Sequence, residues 1–429
     1  MIFLAICLSA VIIFIAMVNK PIIGLCLTIG LIPYTENLPK IPLLGTTVSL
    51  LGFLTFGCYL FHFFIRLKPY RSIPATTIFW GTCFISACFL SIIVARVPVG
   101  FSLTTYLQLF LLFFLVTQLV RAQKDAHWLM ASWVASIAIV QILGFLHFDI
   151  TQISRANRFS GATNNANLIA YYCNISAWFV VYFIFKARRF PLRALLLGLL
   201  FLDFFVVLIS FSRTGLIVLG VSALFAVFLL WKHLTRRMGW VCIAGIAAMI
   251  LMSQFNFSAL SQDISQIPGM VTGAKIRGNT FSDRTRLWGL WLQEWAETPL
   301  FGIGIGGTLS GEVLMINVPH NSFISVLVET GIIGIIFFLG MILQAYKSLF
   351  RLAKASKDQL GLSLPQVWLL VLIVWGLTSI ANSQHYDKLL YLMIGMSVAL
   401  RHIPSGSSDR PSSSGRICAG SQDSQGATR

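Results

Sequence analysis

The sequence predicts an all-α polytopic membrane protein of about twelve or thirteen transmembrane helices with one large loop on the outer side. Three observations carry that reading. Of the 429 residues, 57% are hydrophobic and only 10% charged, whereas a typical soluble domain is roughly a quarter charged. Apolar runs near the ~20 residues that cross a bilayer recur along almost the whole chain. Finally, of the 31 Lys and Arg, which outnumber 14 Asp and Glu to give a net charge of +17, 16 fall in five alternate loops. The composition excludes an ordinary soluble protein and also disorder, which needs low hydrophobicity.

Taken in chain order, spans are expected near 45–66, 74–94, 99–120, 127–148, 164–185, 192–212, 214–231, 238–254, 321–345, 365–382 and 387–400. Residues 2–33 read either as two short spans broken at Asn19-Lys20-Pro21 or as one span and a re-entrant piece. No basic leader or small-residue cleavage site follows Met1, so no cleavable signal is expected. Cys7, Cys26, Cys58, Cys83, Cys88, Cys173 and Cys242 lie in or beside apolar runs and read as small buried groups; Cys418 lies in a polar tail. The chain divides into helices over 1–254, an outer loop with an amphipathic helix over 255–320, further helices over 321–402, and a Ser/Gly-rich tail over 403–429 expected to be disordered and cytoplasmic.

Orientation follows from the cations. Arg66, Lys68 and Arg71; Arg121 and Lys124; Lys186, Arg188, Arg189 and Arg193; Lys232, Arg236 and Arg237; and Lys347, Arg351, Lys354 and Lys357 occupy five loops on one side. The positive-inside bias makes that side cytoplasmic. A basic chain first suggests nucleic acid, but membrane topology accounts for most of this charge and no nucleic-acid partner is needed.

The informative cations are those that defy the bias. Arg158, Arg213, Arg284 and Arg286 fall on the outer side, each close to a membrane boundary. An arginine there is costly unless it pairs or snorkels, and its planar fork matches phosphate oxygens. Several around one cavity would suit a diphosphate; singly, each could equally anchor a helix end at the headgroups. Around them, Leu287, Trp288, Trp291, Leu292 and Trp295 form an apolar stripe at helical spacing, suited to the membrane interface. His320-Asn321-Ser322 opens an outer-side span. A neutral imidazole can take a proton from a sugar hydroxyl, while Asn321 or Ser322 could instead cap the helix. Glu329 lies roughly 13 Å further along a regular helix, as a site residue or as an ion-pair partner of Arg213. Gly331 and Gly334 would permit close helix packing.

Other features carry less. Gly302-Ile-Gly304-Ile-Gly306-Gly307 has the dinucleotide-loop spacing, but no βαβ context surrounds it, so a turn is expected, with a phosphate-cradling nest as a lesser reading. Asp203 reads as a structural partner for another helix, and His385 as a weak site candidate. No His/Cys/carboxylate cluster has metal-ligand spacing, and no cofactor is expected.

Four segments together resemble the O-antigen ligase and polysaccharide polymerase superfamily. They are Arg158-Phe-Ser-Gly161 followed by Asn164, Asn165 and Asn167; Ser210-Phe-Ser-Arg213-Thr-Gly215; Arg284-Thr-Arg-Leu-Trp288 continuing to Pro299-Leu-Phe-Gly302-Ile-Gly304; and His320-Asn321 through Glu329-Thr-Gly331-Ile-Ile-Gly334. Each is weak alone; the four in order are specific at family level, and they leave the first 150 residues matched by hydropathy only. The resemblance implies a GT-C-like helical fold with a large periplasmic loop over a lateral cavity, in the bacterial inner membrane. It implies metal-independent transfer of a glycan from undecaprenyl diphosphate to an acceptor hydroxyl, on another glycan or on lipid A–core. By motif position Arg213 and Arg284 would hold the diphosphate, with Arg158 or Arg286 helping, His320 would orient or deprotonate the acceptor, and Asn167, Asn321 and Glu329 would line the substrate site. A ligase is the working label, with a repeat-unit polymerase as the alternative and protein glycosylation the least favoured branch. From other classes, an anion transporter competes, although no internal repeat is found and the polar residues gather at one face; a scaffold subunit of an envelope assembly is the bland third option.

Overall fold

The computed structural model describes residues 2–35, 37–41, 45–65, 70–96, 101–147, 158–163, 165–230, 281–310, 318–356 and 362–403. The expected span 238–254, most of the long loop and the tail from 404 lie outside these described residues, as do Cys242, Cys418 and Asn164.

The described residues are helical almost throughout, as a chain of apolar spans requires. The first apolar stretch resolves into two helices, α1 (Ile2–Asn19) and α2 (Pro21–Leu31). They part at Lys20, which is extended, and Pro21 opens α2 where its missing N–H costs nothing. A short hairpin, Lys40–Ile41 paired antiparallel with Gly45–Thr46, leads into the main bundle. There follow α3 (Thr47–Ile65), α4 (Ala75–Ala95), α5 (Phe101–Leu119), α6 (Gln123–His147), α7 (Ala166–Lys186), α8 (Phe190–Ile209) and α9 (Arg213–Leu230). After the undescribed stretch come α10 (Phe281–Glu297), α11 (Ser322–Ala355), α12 (Leu364–Ser379) and α13 (Lys388–Ala399). Among the described residues, α3, α4, α6, α7, α8 and α11 are long and apolar enough to cross a bilayer, with mean hydropathy between 1.7 and 2.5. The molecule is an all-α, multi-pass membrane protein.

Burial sorts the helices. Almost all of α7, α12 and α13 is inside, with Tyr171, Trp368, Trp375 and Tyr391 at 1% exposure or less. Around the rim, α8 turns Phe190 and Phe201 outward at 81% and 71%, which costs nothing where the surroundings are lipid tails. Asp203, within α8, is nevertheless buried, and accepts a hydrogen bond from the Gln141 amide of α6 at 2.6 Å; it ties two helices together, as its isolation among apolar residues suggests. None of the described cysteines is paired.

The basic loops meet at one end. The Arg71 guanidinium donates to the carbonyls of Val120 and Arg121 at 2.7 and 3.0 Å, Arg401 donates to Ser348 at 2.7 Å, and His402 contacts the Ser72 carbonyl. The polar segments singled out in the sequence gather at the opposite end.

One long helix is broken there. Gly331, inside α11, has φ 66° and ψ −170°, a conformation open essentially to glycine alone. In an unbroken helix the N–H groups of Ile332 and Ile333 would bond the carbonyls of Val328 and Glu329. Instead the segment after α10 intercepts all four groups. Ile332 and Ile333 donate to Pro299 and Leu300, while Ile303 and Gly304 donate to Val328 and Glu329, at 2.9 to 3.4 Å. Ser91 of α4 adds a hydroxyl to the Glu329 carbonyl. The glycine therefore serves a different purpose from the close helix packing expected of it. A Cβ at Gly331 would lie 2.2 Å from the Leu300 oxygen, and one at Gly302 2.4 Å from the Val328 oxygen. Gly331→Ala is expected to cost more than about 3 kcal/mol, strain and clash together, and to lower the melting temperature in detergent sharply. The matched change Gly376→Ala, in α12 where a Cβ meets nothing, should leave it equal or raise it.

Candidate functional site

At the end of the bundle opposite the basic loops, four chain segments converge. The first is Arg158–Thr163, leading into α7. Arg158 is half-buried and tied on two sides: its Nε donates to the Ser210 carbonyl at 2.7 Å and an Nη to Asn167 Oδ1 at 2.8 Å. Asn165 caps α7, accepting from the backbone of Asn167 and Leu168, so Asn167 is free to orient the arginine. The second segment is the tight turn between α8 and α9. Phe211 takes a left-handed backbone at φ 47°, and Gly215 lets the turn press on Ala170, whose Cβ would sit 2.7 Å from an added one. Arg213 follows as the first residue of α9, with its side chain exposed.

The third segment is α10, and its phase separates its two arginines. Residues two apart on a helix point about 200° apart. Leu287 and Trp291 are fully buried against the protein, which turns Arg284 inward to a half-buried position and leaves Arg286 exposed. The apolar stripe thus packs mainly on the protein, against the expectation of a helix lying on the membrane; Leu292, at 38% exposure, is the part turned outward. The docking is fixed by Trp288, whose indole N–H donates to the Pro319 carbonyl at 2.8 Å, the residue before His320.

His320 itself sits at φ 52°, a left-handed conformation that costs an L-residue about 1–2 kcal/mol. Asn321 then caps α11, its Oδ1 accepting from Phe323 and Ile324 at 2.9 and 3.1 Å; of its two readings, the structure places it as a cap. Ser322 donates to the Asn382 carbonyl and accepts from the Gln384 N–H, joining the start of α11 to the fourth segment, 380–387.

Charge draws the group together. Burial lowers the pKa of Arg284 and Arg158, and the Arg284 charge lowers Arg158 further. Burial and the same Arg284 charge push the His320 imidazole below its usual value. Arg158, Arg284 and His320 therefore share one electrostatic environment, with two fixed guanidinium cations beside a neutral imidazole.

Glu329 belongs to a separate, fully buried cluster. Its carboxylate accepts from Thr308, and from the Tyr386 hydroxyl at 2.8 Å, with His385 Nε2 3.4 Å away. These are its partners in place of the expected Arg213. Tyr386 and Thr308 carried no sequence signal, because only the fold brings them to an acid on α11. The glycine-rich stretch 302–307 forms turns, with positive φ at Gly302, Gly304 and Gly306. Two of its N–H groups are spent on the broken helix, which disfavours a phosphate nest. Among the described residues, no three His, Cys, Asp or Glu side chains cluster as metal ligands would.

The depressed His320 pKa has a checkable sign. Above about pH 6.5 both the folded and the unfolded imidazole are neutral. As pH falls below that, the unfolded chain binds a proton that the folded one resists, so stability is lost down to the folded pKa. Removing the Arg284 charge with Arg284→Gln should raise the His320 pKa toward its ordinary value. Histidine-selective 15N NMR across pH 5–8 would read the shift; an unmoved His320 would place Arg284 elsewhere.

Residues 198–339 match the family model described as O-Antigen ligase. That segment holds Arg213, Arg284, Arg286, His320, Asn321 and Glu329, and leaves Arg158 and Asn167 outside. No curated protein matches the chain. Residues 198–339, about a third of the chain, are thus similar to the O-antigen ligase family, in keeping with the helical membrane architecture and the four segments brought to one end.

Proposed function

We propose that the protein transfers a glycan from undecaprenyl diphosphate to an acceptor hydroxyl at the end of the bundle opposite the basic loops, which the positive-inside bias makes the periplasmic face of the bacterial inner membrane. The carrying observation is the Arg158–Arg284–His320 group, two partly buried arginines beside an imidazole held neutral. The similarity of residues 198–339 to the O-antigen ligase family supports the reading.

In this mechanism the diphosphate lies against Arg284 and Arg213, with Arg158 alongside. The acceptor oxygen attacks the anomeric carbon, the bond from that carbon to the diphosphate oxygen breaks, and the leaving group keeps the electron pair. The acceptor proton passes to neutral His320. Positive charge fixed in a site of low dielectric stabilises the charge developing on the leaving oxygen without reorganising at the moment of reaction, so arginines can do here what a metal ion does elsewhere. Arg286, exposed on the far face of α10, stays outside the reacting group, as does Glu329, whose carboxylate holds the framework together.

The acceptor favoured is lipid A–core, which makes the protein a ligase; a lipid-linked glycan acceptor would make it a polymerase of repeat units. Purified protein supplied with a lipid-linked glycan should release undecaprenyl diphosphate. His320→Ala and Arg284→Ala should each cut that release about 10²–10⁴-fold, with Arg286→Ala within about threefold of wild type. Unchanged release in the first two variants would sink the proposal, and anion uptake into proteoliposomes without any release would favour transport. In a deletion strain, surface glycans ending in core capped by one repeat unit would replace the ligase reading with the polymerase one.

A further inference from the structure

Away from the arginine group, and sharing no residue with it, a narrow cleft lies between α2, α3, α5 and the start of α13. It is lined by Thr28, Ser49 and Gly52, by Thr105 and Gln108, and by Lys388 at its head. Counting its open mouth, it holds about 450 Å³ of empty space. Phe53 of α3, also on its wall, is 39% exposed on the outside of the bundle, so the cleft reaches the surface that faces lipid.

Two properties define what fits. Lys388 is a mostly buried cation; among the described residues its ammonium makes no hydrogen bond or ion pair, and the charge acting on it is that of the adjacent Asp387. The adjacent Asp387 has its carboxylate committed to the Tyr171 hydroxyl at 2.7 Å and the Leu389 N–H at 3.0 Å. A cation in so apolar a setting is costly unless a counter-charge arrives. The second property is a gradient along α5. Thr105 and Gln108 stand near the level of Lys388, and Ser49 donates to Gln108 at 2.6 Å. Below them Leu109, Leu111, Leu112 and Leu115 carry the wall inward. From Thr105 to Leu115 is about 15 Å of helix, the depth of one leaflet's hydrocarbon. Polar groups and a positive charge at the top, leucine below, and a mouth open to the bilayer are complementary to one occupant.

We propose that this cleft is a binding site for an anionic phospholipid, its phosphate on Lys388 and one acyl chain along Leu109–Leu115. The site goes beyond the transfer reaction and stands whether or not that reaction is the correct one.

The test uses full-length protein in detergent, titrated with dioleoyl phosphatidylglycerol or dioleoyl phosphatidylcholine and read by native mass spectrometry. Wild type should retain phosphatidylglycerol in preference. Lys388→Gln should weaken that retention about tenfold or more, and Lys388→Arg, which keeps the charge, should restore most of it. Gly52→Leu provides a check independent of the lysine. A Cβ there meets nothing within 4 Å, so the leucine fills the cleft without forcing a clash and should abolish retention with Lys388 intact. Gly57→Leu, equally unobstructed on the same helix but outside the cleft, should leave it unchanged. Equal retention of both lipids by wild type would overturn the proposal, as would undiminished phosphatidylglycerol binding in folded Lys388→Gln. Should that variant fail to fold, retention by Gly52→Leu would overturn it alone. Displacement of the lipid by inorganic phosphate would make the site one for a free anion, and would overturn it too.

Discussion

Within a bilayer no water waits to bond a stray N–H or carbonyl, so every backbone group must find a partner in protein. The site end of this molecule is organised around one place where a helix gives up that self-sufficiency. At Gly331 the chain of α11 opens, and the turn-rich segment 299–304 bonds the four groups the opening would orphan. That exchange holds two parts of the site in a fixed relation. The segment is the direct continuation of α10, which carries Arg284, and α11 begins immediately after His320. The indole bond from Trp288 to Pro319 is a second clamp between the same two parts. An arginine and a histidine thirty-six positions apart in sequence are thus held in a fixed relation by backbone geometry.

The electrostatics follow from that rigidity. Two guanidinium groups brought together inside a protein repel, and they stay together only when each is held by something else. Arg158 has the Ser210 carbonyl and Asn167, and Arg284 rides on a helix anchored along the same face by Leu287 and Trp291. The left-handed backbone of His320 is a further cost borne by the same framework. Strain, like-charge proximity and an uncharged imidazole at one spot are what a site looks like before an anion arrives to relieve it. The Glu329 cluster is the counterweight. Fully buried and bonded by side chains from two other segments, it secures the opened helix from behind.

Much of the architecture was legible in the sequence because bilayers impose crude rules. Length, hydropathy and the alternation of basic loops suffice to place α3 through α9 and α11, and to put Arg158, Arg213, Arg284 and His320 at one end. The phase of α10 was not: an apolar stripe of Leu287, Trp288, Trp291, Leu292 and Trp295 does not separate Arg284 from Arg286 until the burial of Leu287 and Trp291 shows which edge faces the protein. What the sequence could not disclose was the role of groups whose partners lie far away. Glu329 was weighed against Arg213 because both stood out as charges among apolar residues, yet its partners are a threonine and a tyrosine with no local mark. Gly331 looked like a residue for close packing because the segment that breaks the helix there is thirty residues upstream. The apolar stripe of α10 suits a membrane surface or a protein surface alike, and only the fold decides which.

The opened helix also bears on how the protein comes to be made. Residues 322–355 are apolar enough to enter the bilayer as one continuous helix, and in that form the groups around Gly331 bond each other. Segment 299–304 is synthesised earlier but has no partner until α11 is in place. At Gly331 two bonds within a helix are thus traded for four between segments. A span that hydropathy alone would make continuous is tied at a single glycine to a segment of the chain that precedes it.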